Sequence, residues 1–324
     1  MSSFTRVRQL APMSIAFPSF SYLRHVAPLA LVLLVASQCS TGANRISEAE
    51  FRSGEYNARI AHALAELSHM AYDIDYDRDR EVSSKLLKRV KQYIDVDRSA
   101  VFFDDRTDTA GFIIANEDAV VVSFRGTKTI SNMITDVRAN KRGFSHGGVN
   151  GQVHAGFISA GETVFADIRG KISSLQNAGQ PILFTGHSLG GALATLAVAR
   201  RLVPPGQVFG LYTFGSPRVG DGNFVNTFNG RYQQRTFRFS NYRDPVPRVP
   251  PKLIGFGHVG RLLYFDDDGE LHHAPSNPHQ CGVFSAHVCA GDHGIDNYVK
   301  RMGKNLDVDP FAPKKKGGCL LWPF

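Results

Sequence analysis

Apolar and polar positions along the chain follow two rhythms. From Glu55 to Ala71, EYNARIAHALAELSHMA places Ala61, Leu64, Leu67 and Met70 near helical spacing, which predicts an amphipathic helix ending before the acidic stretch 73–79. Leu86 to Tyr93 predicts a second, shorter helix. The texture then changes. Ala100–Phe103, Thr109–Ala115 and Ala119–Phe124 are β-rich runs parted by polar turns. The third, AVVVSF, is apolar almost throughout, as a central strand covered on both faces should be. Residues 159–177 read as a helix, Pro181–Phe184 as a short buried strand, and Gly190–Val203 as an Ala- and Leu-rich helix. Val208–Phe214 and Phe237–Ser240 read as further strands. Residues 250–292, rich in Gly, Pro and His, read mostly as loop, and the chain from Pro310 as a flexible end. Strands that alternate with helices predict an α/β fold on a mostly parallel sheet.

One junction in that pattern carries candidate chemistry. Gly186-His187-Ser188-Leu189-Gly190 lies between the Pro181 strand and the Ala-rich helix and fits G-x-S-x-G. In a nucleophile elbow the serine occupies a strained backbone position, and the glycines two before and two after it avoid collisions. The helix that begins there aims free N–H groups and its positive dipole end at the serine. A serine hydroxyl is a poor nucleophile until a base takes its proton and a carboxylate orients that base. The elbow order calls for Ser, acid, His along the chain. Carboxylates from Asp221 to Asp296 and histidines from His258 to His293 all lie downstream, and spacing does not choose among them.

Composition bounds the rest. With 324 residues and 43% hydrophobic content, the chain supports one catalytic-size domain with peripheral ends. The expected division is 1–38 as a signal peptide or N-terminal membrane anchor, 39–309 as the domain, and 310–324 as a basic, flexible tail. The apolar run 26–36, VAPLALVLLVA, has signal-peptide length and is too short to span a bilayer, so export from the cytoplasm is expected. The formal net charge is +8; residues 1–38 hold Arg6, Arg8 and Arg24 and no acid, so without them it is +5. A basic surface suits anionic lipid. Nucleic acid is not expected, because no aromatic-interleaved basic stripe occurs. Cys281 and Cys289 are spaced for a local disulfide, which leaves Cys39 and Cys319 to pair; Cys39, just after the apolar run, is alternatively a lipid attachment site. His272, His273 and His279 have no metal-ligand spacing and read as a solvated loop; neither a metal nor a cofactor is expected.

Six ordered segments resemble the fungal-type triacylglycerol lipase family, the class 3 lipases of the α/β-hydrolase superfamily. They are VVVSFRGT (120–127), VHAGF (153–157), GHSLGGALA (186–194), TFGSPRVGD (213–221), NYRDPVPRVPP (241–251) and the late DH at 292–293. The resemblance covers about Glu55 to Val299. It implies an α/β-hydrolase fold with Ser188 as nucleophile, Asp244 as acid and His293 as base. The oxyanion donors would be the backbone N–H of Leu189 at the helix start and that of Thr127 after Arg-Gly. Arg125 would be structural, His258 would not be the base, and His187 is expected to point away from the serine and pack. Residues 128–137, KTISNMITDV, fall where the family carries its lid, with Ile130, Met133 and Ile134 on one apolar face; the Trp often found there is lacking. The implied activity is hydrolysis of acylglycerol esters through an acyl-enzyme, at a lipid, membrane or lipid-droplet surface. The alternatives are a phospholipase A1, a feruloyl-type esterase, or a non-catalytic lipid- or partner-binding relative.

Overall fold

The computed structural model describes residues 46–74, 81–127, 140–275 and 289–312. Capping sets the early helices. In α1 (Glu48–Arg52), Ser47 and Glu50 each accept the other's backbone N–H. In α2 (Ala58–Met70), the Asn57 side chain accepts the Ile60 N–H at 3.0 Å, so the helix starts there and not at Glu55. Ser83 does the same for α3 (Ser84–Val90), two residues ahead of the expected start. Strands β1 (Arg98–Asp104), β2 (Thr109–Ala115) and β3 (Val120–Phe124) follow. Next come β4 (Lys141–His146), β5 (Val149–His154) and α4 (Ala155–Leu175). The chain continues through β6 (Ile182–His187), α5 (Leu189–Ala199), β7 (Val208–Phe214), α6 (Gly222–Tyr232) and β8 (Thr236–Asn241). It closes with β9 (Arg261–Phe265), β10 (Leu271–His273) and α7 (Ile295–Lys304).

Eight strands form one sheet in the order β1-β2-β3-β6-β7-β8-β9-β10. β3, β6, β7, β8 and β9 run parallel, while β1, β2 and β10 add antiparallel edges. Side chains alternate between two cores. Val122 and Phe184 are paired in register and join the core under α4, α5 and α6; their neighbours Val121 and Leu183 join the core under α1, α2, α3 and α7. Full burial of side chains this size contributes about 1.5–3 kcal/mol each. Buried hydroxyls stitch the second face. Ser123 donates to the Leu67 carbonyl at 3.0 Å, and Ser68 and Thr185 share a 2.8 Å bond. From Gly190 to Ala199 every residue of α5 is buried, which explains a helix apolar on all sides.

Two expectations change. The stretch 250–292, expected to be mostly loop, also carries two short strands: RLLYF and LHH form β9 and β10, parted by the acidic turn 266–270. The β4–β5 hairpin was not anticipated, although Gly147-Gly148 joins it with φ of +58° and +79°, the two left-handed positions that a tight primed turn requires. The apolar run 26–36, Cys39, Cys281, Cys319, the lid candidates Ile130, Met133 and Ile134, and residues 313–324 lie outside the described residues. Cys289 is disulfide-bonded.

Candidate active site

Ser188 stands alone between β6 and α5, with φ 57° and ψ −128°. A non-glycine residue in such a region costs about 1–3 kcal/mol and persists only where its surroundings fix it. Here they do. Its N–H donates to the Phe214 carbonyl at 2.9 Å, and its own carbonyl accepts the Gly191 N–H at 3.0 Å. The flanking glycines are required sterically: a Cβ on Gly186 would lie 2.3 Å from the Gly190 carbonyl carbon, and one on Gly190 would lie 2.3 Å from the Phe124 oxygen. Ser188 is fully buried, and its Oγ has no hydrogen-bond partner among the described residues.

Asp244 and His293 come from opposite ends of the last third of the chain. Asp244 follows β8, and His293 ends the single turn Ala290–His293 ahead of α7. His293 Nδ1 lies 2.9 and 3.0 Å from the two Asp244 oxygens, with both side chains fully buried. A carboxylate can only accept, so Nδ1 carries the proton and neutral His293 presents a lone pair at Nε2. That Nε2 is buried without a partner. Asp244 also accepts the Val246 N–H at 2.8 Å and the Tyr298 O–H at 2.6 Å. The Tyr298 oxygen accepts the Asn241 N–H at 3.0 Å in turn. Burial and the neighbouring Asp244 push the Tyr298 phenol well above its ordinary pKa, so it remains a donor.

Gly215 connects the pair to the elbow. It follows Phe214, which holds the Ser188 N–H, and has φ of +58°. A Cβ there would sit 2.9 Å from both Asp244 Oδ2 and His293 Cε1. No hydrogen bond joins Ser188 Oγ to His293 Nε2 among the described residues, and both atoms are buried and unsatisfied.

His187 does more than pack. Its Nε2 lies 2.8 Å from the His293 carbonyl and its Nδ1 lies 2.8 Å from the Tyr72 hydroxyl. A carbonyl only accepts, so Nε2 carries the proton and Nδ1 accepts from Tyr72. The residue next to Ser188 therefore holds the backbone of His293, and its ring lies 4.4 Å from the His293 ring, centroid to centroid. Sequence reasoning missed Tyr72 and Tyr298: tyrosines beside polar neighbours, in AYD and IDNYVKRMGK, give no signal until their hydroxyls are seen to meet partners.

Burial, reinforced by His293, lowers the His187 pKa well below 6.5. The unfolded chain then takes up the proton first as pH falls, so this contribution to stability is present above about 6.5 and is lost below it. We expect unfolding free energy to fall by about 1.4 kcal/mol per pH unit below that point from this residue alone. Urea unfolding of the wild type and His187→Gln between pH 5 and 8 tests it; equal slopes in the two proteins would refute it.

Leu189 opens α5, and the contact of Gly190 with Phe124 brings the end of β3 against that first turn. Thr127 lies three residues beyond Phe124 and is half-buried. Arg125 is buried and donates to Asp108 and to the Ile74 carbonyl, tied into the core. His258 Nε2 lies 2.6 Å from the Pro247 carbonyl. His272 pairs with Asp266 at 2.6 Å. With Glu270 these two bring ligand-type atoms within 4.8 Å of one another on the β9–β10 hairpin, apart from the Ser188 elbow.

The model of the family described as Lipase (class 3) matches residues 121–254, a span that takes in Ser188 and Asp244 and stops short of His293. Over that span the chain is similar to the class 3 lipases. Its fold is the α/β-hydrolase fold. The chain is 38% identical over 161 residues to the secreted mono- and diacylglycerol lipase 1 of Fusarium solani, covering 48% of this chain and 47% of that protein. It is 34% identical over 160 residues to the secreted mono- and diacylglycerol lipase A of Penicillium cyclopium, covering 47% of this chain and 50% of that protein. The chain spans about half the length of these curated relatives. Among solved structures, the lipase from Rhizopus microsporus var. chinensis superposes with a TM-score of 0.57 at 26% identity, covering 74% of this chain and 85% of that one.

Proposed function

We propose that this chain is a serine carboxylic-ester hydrolase of the class 3 lipase type that acts on acylglycerols. The observation that carries the reading is the Asp244–His293 pair beside the Ser188 elbow, with His293 Nε2 and Ser188 Oγ both buried and unbonded. His293 takes the Ser188 proton as Oγ attacks the ester carbonyl. Asp244 orients the imidazole and stabilises its charged form. The N–H groups of Leu189 and Thr127 bind the developing oxyanion. His293 then protonates the departing alcohol, and water, activated by the same histidine, releases the acid. No step calls for a cofactor.

Acylglycerol substrates are supported by the names of the relatives, which are mono- and diacylglycerol lipases, and by the net charge of +8, which suits a lipid–water interface. Secretion is supported by the apolar run 26–36 and by relatives named as secreted. The complete burial of Ser188 supports a cover over the site, and Ile130, Met133 and Ile134 are proposed to line it.

The test is hydrolysis of p-nitrophenyl esters from short to long acyl chains, below and above the concentration at which each substrate aggregates, followed by mono-, di- and triacylglycerols. We expect rates to rise with chain length and to increase at the aggregate. Hydrolysis restricted to short soluble esters would overturn the acylglycerol assignment. A rate that survives loss of Ser188 would overturn the mechanism.

A further inference from the structure

Beside Asp244, a cluster of arginines has no part in the ester chemistry. Arg218, Arg238 and Arg248, with His258, Tyr242 and Tyr264, line a cavity of about 160 Å³. Its charge is one-sided. Among the described residues, Asp244 is the sole carboxylate in the lining, and its oxygens already accept from His293, Tyr298 and Val246. Arg218 donates to the carbonyls of Arg248 and Pro250, and so ties the loop after Asp244. Arg238, on β8, differs. Among the described residues its guanidinium makes no hydrogen bond or ion pair, and its Nε is buried without a partner. Arg238 is half-buried, and leaving its buried Nε without a partner carries an energetic cost. Burial and the neighbouring Arg218 push the Arg238 pKa down to about 10, which leaves it charged at neutral pH. The same two arginines, with burial, hold His258 well below its ordinary value, so the histidine does not add to the charge at neutral pH.

A planar guanidinium with free donors matches a tetrahedral oxoanion, which it can grip with two parallel N–H bonds. Such an ion has about five non-hydrogen atoms, and a water-sized atom in liquid occupies ~30 Å³. The cavity therefore has room for a group of that size. We propose that this cavity is a binding site for a phosphate-class oxoanion, with Arg238 as its principal ligand and Arg218 and Arg248 completing the positive wall. The anion balances the charge of Arg238, which has no partner among the described residues, and joins β8 to the loop that carries Asp244.

The experiment is thermal denaturation of the full chain in inorganic phosphate, and separately in glycerol 3-phosphate, each against chloride at matched ionic strength. A saturable rise in Tm of about 3 °C at roughly ten times Kd is expected. A response to inorganic phosphate identifies a free oxoanion as sufficient. A response to glycerol 3-phosphate alone identifies the phosphate of a lipid headgroup. Arg238→Met removes the guanidinium without breaking a hydrogen bond, so its Tm in chloride should equal or exceed that of the wild type and its response to phosphate should vanish. No saturable shift in the wild type, or the same shift in Arg238→Met, overturns the proposal. Should that variant not fold, calorimetric titration of the wild type with phosphate decides, and absence of heat from binding overturns it equally. Ser188→Ala keeps the shift, so this test stands or falls apart from the ester reading.

Discussion

Ser188→Ala lowers kcat on a soluble p-nitrophenyl ester by about 10⁴- to 10⁶-fold, the range expected when the nucleophile of a cooperating triad is removed. Stability does not follow. The Ser188 hydroxyl is buried and bonds nothing, whereas the contacts that fix the turn are made by its backbone. Removing an unsatisfied buried hydroxyl is neutral or favourable. The melting temperature should therefore match or slightly exceed that of the wild type. Activity and melting curves on the same preparation give the answer. A large fall in Tm would mean that the residue holds the elbow together and would remove the reason for calling it a nucleophile.

Asp244→Asn should be nearly as damaging to catalysis and, unlike the serine change, costly to the fold. Three donors surround the carboxylate: His293 Nδ1–H at 2.9 and 3.0 Å, the Tyr298 hydroxyl at 2.6 Å and the Val246 N–H at 2.8 Å. Both oxygens therefore accept. An amide replaces one acceptor with an NH₂ that must face a donor, whichever way it turns. If it faces Nδ1–H, the imidazole is pressed towards its other tautomer and loses the lone pair at Nε2. The expected loss is about 10³- to 10⁴-fold in kcat. The repelled buried donor costs about 1–3 kcal/mol of stability. Kinetics and urea unfolding of Asp244→Asn measure both. A variant of wild-type stability would show that the carboxylate is less enclosed than these distances require.

Much of this fold could be read from the chain before any coordinates. The buried strands at 109–115, 119–124 and 208–214 and the Ala-rich helix declare themselves because apolar residues run through them without interruption. The hairpin at 141–154 was missed for the opposite reason. Its strands are mostly polar, Phe144, Val149 and Val153 alone being buried apolar anchors, so the signal lay in Gly147-Gly148 and not in hydrophobicity. β9 and β10 were missed because they lie among Gly, Pro and His and are only five and three residues long. At the site, the motif nominates Ser188, the family resemblance implies Asp244 and His293, and the fold sets Asp244 against His293. What no spacing could give is the support around them. Tyr72, His187 and Tyr298 act through single atoms brought together from more than a hundred residues of sequence apart, or across fifty in the case of Tyr298 and Asp244.

The order of these parts along the chain has a consequence for synthesis. The elbow, its glycines and strands β1 to β7 are complete by Phe214, but the partner of Asp244 waits until His293, and the phenol that steadies Asp244 until Tyr298. A nascent chain, or a fragment cut in the stretch between β10 and α7, thus holds its serine without a base beside it. On the proposed chemistry, the serine gains its base only once α7 and the turn before it have docked.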